Sequence, residues 1–278
     1  MLEHVNISYD NTRAEAILDY PNKRLKVKTY QGHEPYLLAD KIYDLATGRG
    51  LTKILWLLRP QDAPPLLEKG YVIEGRFSNY FRGRPALWLS FFLDPKRRYS
   101  PELAWEEEIL WQLEKKKGNK KRGELPGDFY LKLATPEDVP KLARLYAETF
   151  ETYPTPLAQP EYIYRTMSRD TLYLAIYEGE NLASAASGVI DWENMAAEIS
   201  DCATRPEYRG LGLMQVLTGA IEEELVKRKV IAIYSVARAT SLSMNTVFSK
   251  AGYSFRGRLL NNCHICGRFE DMNLWTKG

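Results

Sequence analysis

The chain has 278 residues, about twice the usual size of a single domain, so its length favours two modest domains over one large core. Hydrophobic residues make up 45%, charged residues 27% and aromatic residues 12%, which excludes a disordered chain and a small disulfide-stapled module. With 38 basic and 36 acidic residues the formal net charge is +2, too balanced for non-specific binding to nucleic acid or to a membrane surface. Any cationic site must therefore be local.

The sequence carries no sign of a membrane span or a secretory leader. Its longest apolar runs, 86–93 and 172–177, are far shorter than the roughly 20 residues that cross a bilayer. The first ten residues have neither the basic nor the apolar region of a signal peptide. Three cysteines, Cys202, Cys263 and Cys266, fit a reducing compartment better than a disulfide framework. We therefore expect a cytoplasmic protein that binds neither nucleic acid nor membrane.

The first part of the chain is predicted to end in a long helix. Apolar residues predict a strand at 54–58, helix-like residues follow at 63–68, and the aromatic-rich segment 79–93 is typical of a strand. Apolar residues at helical spacing then predict a helix over 101–113, with Ser100 as its N-cap.

A charged segment, 114–126, separates this part from the rest. It nearly lacks apolar side chains and ends in Gly and Pro, a composition typical of a helix tail followed by a linker. A nucleic-acid patch is the alternative for its basic run, and we adopt the solvated helix end. The chain is thus divided into an N-terminal domain, 1–113, the linker, and a C-terminal domain, 127–278.

The C-terminal domain is predicted to alternate strands and helices. Thr135, followed by Pro and two acidic residues, is typical of a capped helix start. The patterns predict helices near 135–150, 160–167, 210–228 and 241–251, and strands near 129–133, 171–177, 182–192, 196–204, 230–236, 253–260 and 269–276. This order indicates an α/β (α+β) fold, a mixed sheet flanked by helices.

A glycine turn, Arg209-Gly-Leu-Gly212, joins one of these strands to the longest helix. Glycines at such a junction let backbone N–H groups converge, and the helix dipole adds positive potential, so the turn is suited to a diphosphate. The spacing differs from the Rossmann and Walker patterns, which argues against dinucleotides and nucleoside triphosphates. A tight turn without a ligand is the alternative.

The segment 206–212, PEYRGLG, resembles the acetyl-CoA signature of the GNAT N-acetyltransferase superfamily, and 245–253 resembles that family's later helix. One departure is Met214, where the signature has Gly or Ala. The resemblance implies acetyl-CoA as co-substrate, with no metal. The residues that it implies for cofactor binding are Cys202, Ala203, Thr204, Arg209, Gly210, Leu211, Gly212, Leu213, Met214, Asn245 and Phe248.

A narrower resemblance, to the β-lysine N-acetyltransferase family, covers nearly the whole chain. It is carried by the segment 150–156, FETYPTP, the strand 197–204 and the tail 261–275. It implies acetylation of the terminal (N6) amine of β-lysine to give the compatible solute N6-acetyl-β-lysine. Another small amine, or a protein lysine or N-terminus, is the alternative substrate. A non-catalytic acyl-CoA sensor is the alternative from another class, and a homodimer is left open.

Acetylation of a lysine-type amine requires removal of a proton, because such an amine is almost fully protonated near neutral pH. Glu198 is the first candidate base, since an Ala-Glu-Ile run at this place in related acetyltransferases carries a base glutamate. Asp201 is the second, and strand alternation predicts that it lies on the opposite face from Glu198. A rim carboxylate without a role is the alternative for Glu198.

The leaving coenzyme A thiolate is usually protonated by a tyrosine in this family, and this chain has Phe248 at that position. Tyr253, Tyr234 or solvent is then the donor, or the thiolate leaves unprotonated. Asn245 matches a position that binds the pantetheine arm in the family, and a helix-surface amide is the alternative.

The turn between the last two strands is predicted to lie near the substrate. Polar side chains expected to meet the substrate are Tyr153, Glu198, Asn261, Asn262, Arg268 and Glu270. A zinc site at Cys263-x-x-Cys266 with His264 is the alternative for this turn. It lacks a second pair of ligands, because Cys202 is the only other cysteine.

The N-terminal domain is predicted to be a degenerate acetyltransferase-like half. Its segments 54–58, 63–68 and 69–77 resemble, in order, 231–236, 246–250 and 250–258. Residues 34–45 would replace the cofactor helix, and no R-x-x-G-x-G turn precedes them, so this half is not expected to bind acetyl-CoA. Chance similarity is the alternative.

Overall fold

The computed structural model describes residues 2–32, 34–115, 123–265 and 267–277, so most of the predicted linker lies outside the described residues. The strands are β1 Leu2–Tyr9, β2 Thr12–Asp19, β3 Arg24–Gln31, β4 Lys53–Leu58, β5 Val72–Phe81, β6 Arg84–Phe92, β7 Phe129–Leu133, β8 Thr171–Glu178, β9 Asn181–Asp191, β10 Ala196–Thr204, β11 Ala232–Arg238, β12 Ser254–Ile265 and β13 Arg268–Lys277. The α-helices are α1 Ala39–Gly48, α2 Pro64–Glu68, α3 Leu103–Lys115, α4 Val139–Thr149, α5 Pro160–Met167, α6 Leu213–Lys227 and α7 Leu242–Lys250. Within these ranges, no helix is both long and apolar enough to cross a membrane.

The capped start that the sequence predicts at Thr135 is confirmed, since its N–H donates to Asp138 Oδ2 at 2.8 Å. The single strand expected over 79–93 is wrong. The chain reverses at Arg82 and Gly83, whose φ angles are 49° and 87°, so β5 and β6 form a hairpin.

The helix expected over 101–113 is shifted. It begins at Leu103, and the N–H of Glu106 donates to the carbonyl of Glu102 at 3.0 Å. Ser100 is therefore not its N-cap, because a turn at the proline delays the first helical residue.

The thirteen strands of the described ranges form one sheet, in the order β1-β2-β3-β4-β6-β5-β12-β13-β11-β10-β9-β8-β7. The neighbours β3 and β4, and β10 and β11, are parallel, and the other neighbours are antiparallel. The predicted mixed sheet flanked by helices is thus confirmed.

The two halves of the sheet have the same topology. The N-terminal half, β1 to β6, has the order β1-β2-β3-β4-β6-β5, and the C-terminal half, β7 to β13, contains the order β8-β9-β10-β11-β13-β12. In each half a helix, α1 or α6, connects the two parallel strands, and a second helix, α2 or α7, follows. This correspondence supports the interpretation of the N-terminal half as a repeat.

The halves join where β5 meets β12, strands that occupy the same place in each half. Gly75 pairs with Gly257 there. A Cβ on Gly257 would collide with the carbonyl oxygen of Glu74, and its φ of +148° also favours glycine. The join therefore depends on the close approach that glycine permits.

Buried polar contacts also tie the N-terminal half to the middle of β12. The guanidinium of Arg97 donates to the carbonyl of Asn261 at 3.0 and 2.8 Å. Lys53 donates to the carbonyl of Leu260 at 2.7 Å and pairs with Glu74 at 2.6 Å. Burial lowers the pKa of Lys53 to about 8, which Glu74 opposes. The β12–β13 hairpin is thus held in place from the N-terminal half.

The C-terminal half of the sheet is packed on both faces. One face packs on α6 and α7. The other packs on α4 and α5 near β8 and β9, and on β5 and β6 further along. We call the contact between the halves the inner cluster; it comprises Leu55, Phe77, Tyr80, Ala86, Ala196, Ala232, Leu259, Cys263, Ile265, Met272 and Leu274.

Candidate active site

The parallel strands β10 and β11 separate part-way along their length. Their ladder covers three residue pairs and ends at Glu198 and Tyr234. Beyond it, β10 continues on β9 and β11 on β13, and the Ser235 hydroxyl donates to the carbonyl of Ile199 at 2.8 Å. Main-chain groups on the facing edges are then without a ladder partner, and an extended ligand can bind such an edge. We call this gap the strand opening; the predicted cofactor residues 202–204 line its β10 side.

The glycine turn presents open backbone amides just beyond the strand opening. Gly210 and Gly212 have φ angles of 85° and 75°, and a Cβ on either would meet no atom within 4 Å. Within the described residues, no acceptor is found for the N–H groups of 210–212. Leu213 and Met214 open α6, where N–H groups lack intrahelical partners. The predicted diphosphate turn thus presents backbone N–H groups that, in the described part of the chain, have no protein acceptor.

Side chains fix this turn against the sheet. Arg209 Nε donates to the carbonyl of Thr204 at 3.3 Å, and Thr204 Oγ1 lies 2.7 Å from the Ser184 hydroxyl. Leu211 is exposed, whereas Leu213 and Met214 pack into the core beneath the turn.

A β-bulge in β10 changes which side chains share a face. The register on β9 shifts after Ser200, and Asp201 has a φ of 52°. Ile199 packs toward α6, whereas Asp201 accepts a hydrogen bond from the Ser187 hydroxyl at 2.6 Å on the side that Glu198 also faces. The prediction that strand alternation separates the two carboxylates is therefore wrong, because the bulge inserts an extra residue between them.

Asp201 lies near the buried Tyr146 and Tyr173 and near the partly buried Tyr153, a predicted substrate residue. The Tyr153 hydroxyl lowers the pKa of Asp201, and the centroid of its ring lies 4.4 Å from that of Phe150, on which it stacks. Burial raises the pKa of Asp201, and the Ser187 and Tyr153 hydroxyls oppose the rise. The hydrogen bond from the Ser187 hydroxyl orients the Asp201 carboxylate.

Glu198 faces the N-terminal half. Burial raises its pKa to about 7, and the negative charge of Asp201 adds to this rise. The cations Lys26 and Arg24 of β3 and a hydrogen bond from Tyr234 oppose it. A carboxyl group that titrates near neutral pH is suited to accept a proton from an amine.

Arg24 and Lys26 are site residues that the sequence analysis missed. Arg24 pairs with Asp19 at 2.8 Å and donates to the carbonyl of Asn262 at 2.7 Å and to Cys263 Sγ at 3.4 Å. The run Arg-Leu-Lys-Val does signal two cations on one face of a strand. It does not show which surface that face meets.

The candidate proton donors lie on opposite faces of the sheet. Phe248 is fully buried and packs edge-on against Tyr253, with the two ring centroids 5.3 Å apart. Tyr253 is buried on the α6 side, where burial and the carboxylate of Glu222 raise its pKa. Tyr234 lies beside Glu198, facing the inner cluster.

The predicted contact of the Asn245 side chain with the pantetheine arm is corrected. Its amide nitrogen donates to the carbonyls of Arg238 at 2.9 Å and Ser241 at 2.7 Å. Its oxygen accepts from Asn273 at 3.0 Å and from Trp275 at 2.8 Å. Because the buried amide is fully used inside the protein, it ties the β11–α7 turn to β13 and is not a helix-surface amide.

The charged side chains that the sequence predicts to meet the substrate in the β12–β13 hairpin make contacts within the protein. Arg268 Nε donates to Glu270 at 2.7 Å, and a second nitrogen lies 3.4 Å from Glu102. Both hairpin residues are thus paired within the protein, and their contact with the substrate stays a prediction. The side-chain oxygen of Asn262 is buried and has no partner in the described part of the chain.

Cys263 accepts a hydrogen bond from Arg24, and Cys266 lies outside the described residues. In the described ranges, no group of three His, Cys, Asp or Glu side chains is arranged to hold a metal.

Comparison with known proteins identifies the family. The profile of the acetyltransferase (GNAT) family, whose members use acetyl-CoA, matches residues 139–253. The chain is 35% identical over 272 residues to N-acetyltransferase YodP of Bacillus subtilis (strain 168), covering 97% of this chain and 98% of that protein. It is 33% identical to a β-lysine N(6)-acetyltransferase of Methanosarcina mazei, covering 86% and 96%, and 35% identical to one of Methanococcus maripaludis, covering 76% and 77%. The chain therefore belongs to the GNAT family and is an N-acetyltransferase.

Proposed function

We propose that this enzyme transfers the acetyl group of acetyl-CoA to the terminal (N6) amine of β-lysine, giving the compatible solute N6-acetyl-β-lysine. The observation that carries the chemistry is Glu198, a carboxylate with a pKa of about 7 at the strand opening. The substrate follows from similarity to two proteins named for that reaction. The proposal places the reaction in the cytoplasm and assigns catalysis to 127–278.

The cofactor site that we propose combines the turn and the strand opening. The open N–H groups of 210–214 would hold the diphosphate, where the positive end of α6 favours an anion. The pantetheine arm would lie along Cys202, Ala203 and Thr204. This route leads the thioester toward the last β10–β11 pair, Glu198 and Tyr234.

Glu198 then accepts the proton that the substrate ammonium must lose. The neutral amine attacks the thioester carbonyl carbon, a C–N bond forms, and the C–S bond breaks with its electron pair on sulfur. The attacking nitrogen then loses its remaining excess proton and the coenzyme A thiolate takes up one, relayed through Tyr234, Tyr253 or solvent, so that the products are the amide and the neutral thiol. Of the two hydroxyls, Tyr234 lies on the side of Glu198.

A free-thiol assay with acetyl-CoA tests the proposal against β-lysine, α-lysine, ornithine, polyamines and a lysine-containing peptide. We expect the highest kcat/KM with β-lysine. Preference for a polyamine or for the peptide would overturn the substrate assignment. Tight acetyl-CoA binding by calorimetry without thiol release on any amine would instead indicate an acyl-CoA sensor.

A further inference from the structure

Lys26 is a partly buried cation to which the described part of the chain gives no partner of its own. It lies in the middle of β3, and within the described residues its ammonium makes no hydrogen bond or ion pair. Burial lowers its pKa, and the neighbouring guanidinium of Arg24 adds to this effect. An unpaired cation in such a place is costly unless a negatively charged ligand binds beside it.

Lys26 and Glu198 occupy equivalent positions in the two halves. Lys26 pairs with Leu55 in the β3–β4 ladder, as Glu198 pairs with Tyr234 in the β10–β11 ladder. Residues paired in a parallel ladder share a face, and Leu55 belongs to the inner cluster, against which Tyr234 packs. The two charged side chains therefore face the contact between the halves, one from each half.

Arg24 already has its partners within the protein, which leaves Lys26 as the cation of this strand face that, in the described residues, is available to a ligand. Its guanidinium is neutralised by Asp19 and bonded to the main chain of β12, as described above. Lys26 and Glu198 influence each other electrostatically without forming an ion pair. A substrate with an anion at one end and an amine at the other would match these two charges.

We propose that Lys26 binds the carboxylate of an amino acid substrate whose remote amine lies at Glu198. This inference rests on the proposed function and narrows its substrate class to amino acids that carry a carboxylate away from the acetylated amine. Polyamines lack that anion and would leave Lys26 unpaired. The N-terminal half, which has no glycine turn for a cofactor, thus supplies a specificity-determining residue.

The test compares β-lysine with its carboxamide, 3,6-diaminohexanamide, which removes the negative charge at nearly constant shape. Lys26→Met should lower kcat/KM for β-lysine roughly 10- to 100-fold, the usual scale for a charged hydrogen bond, and leave the amide nearly unchanged. Lys26→Arg should restore part of the activity. The matched control Lys28→Met removes an exposed cation from the same strand. It should leave kcat/KM unchanged for both β-lysine and the amide.

A second readout is the pH profile on the amide. Because Lys26 lowers the pKa of Glu198, Lys26→Met should shift the acidic limb of kcat/KM to higher pH. Equal losses on β-lysine and its amide, with wild-type affinity for acetyl-CoA, would overturn the inference and leave the proposed function intact. A wild-type enzyme that acetylates no amino acid would overturn the proposed function, and with it the role of Lys26.

Discussion

Glu198 acquires its reactivity from its surroundings. The pKa of a glutamate in water lies well below 7, whereas burial at the strand opening raises the pKa of Glu198 to about 7. The opposing effects of Lys26 and Tyr234 prevent a larger rise. The same side chain on an open surface would be too weak a base to deprotonate an amine efficiently.

We predict that Glu198→Gln lowers turnover by roughly 10² or more, the usual scale for loss of a general base, with little change in acetyl-CoA affinity. In the wild type, kcat/KM should rise through about pH 7 as Glu198 ionises, and the variant should lack this limb. Asp201→Asn serves as the control: it should keep the limb, displaced to lower pH, because the charge of Asp201 raises the pKa of Glu198. A near-wild-type rate for Glu198→Gln would make that residue a rim carboxylate.

The sequence predicts site residues where the signal is local. Glu198 and the glycine turn are recognisable because a strand, two glycines and a helix follow one another directly. The position of Asp201 was not predictable, since a positive φ in one strand residue reverses the expected alternation. Lys26 was missed because its role depends on its proximity to Glu198, a residue of the other half that is far away in the chain.

At the scale of elements, the junction of β10 and α6 depends on the conformation of Gly212. We predict that Gly212→Val weakens acetyl-CoA binding at least about tenfold, or about 1.4 kcal/mol, because the side chain strains a φ of 75° and fills the diphosphate space. Gly50→Val is the matched control, with a φ of 65° and open space, in the N-terminal half. Both variants should lose similar thermal stability, and calorimetry should show a loss of affinity only for Gly212→Val.

Helix α3 docks a buried carboxylate onto the β12–β13 hairpin. Burial and the charge of Asp271 raise the pKa of Glu106 well above its ordinary value, and Arg258, 3.4 Å away, opposes the rise. Because the folded state holds this proton more tightly than the unfolded state, its stabilising effect is complete at low pH and is lost as pH rises through the raised pKa.

Glu106→Gln should therefore flatten the fall in stability between pH 5 and pH 9, as measured by urea unfolding. Glu107→Gln, at the exposed neighbour that also pairs with Arg258, should leave that pH dependence as in the wild type. If the stability of the Glu106→Gln variant falls with pH as steeply as that of the wild type, the carboxyl group of Glu106 is not responsible.

At the scale of the whole molecule, an edge strand of one half, β5, pairs with an edge strand of the other, β12. A nine-residue similarity predicts the repeat, and the matching strand orders support it. The pairing of β5 with β12 could not be predicted from the sequence, because no pattern around Gly75 or Gly257 indicates that the two backbones are neighbours. Joining the sheets here covers part of both edges, which reduces the edge available for pairing with another chain.

The unequal β–α junctions of the two halves have a consequence for binding stoichiometry. After β10 the glycine turn is open, whereas after β3 a Cβ on Gly32 would meet Thr12 Oγ1 at 2.7 Å, so protein already fills that space. A chain built twice on one topology should therefore saturate at one equivalent of acetyl-CoA in a calorimetric titration. Two equivalents would mean that the N-terminal half has kept a cofactor site of its own.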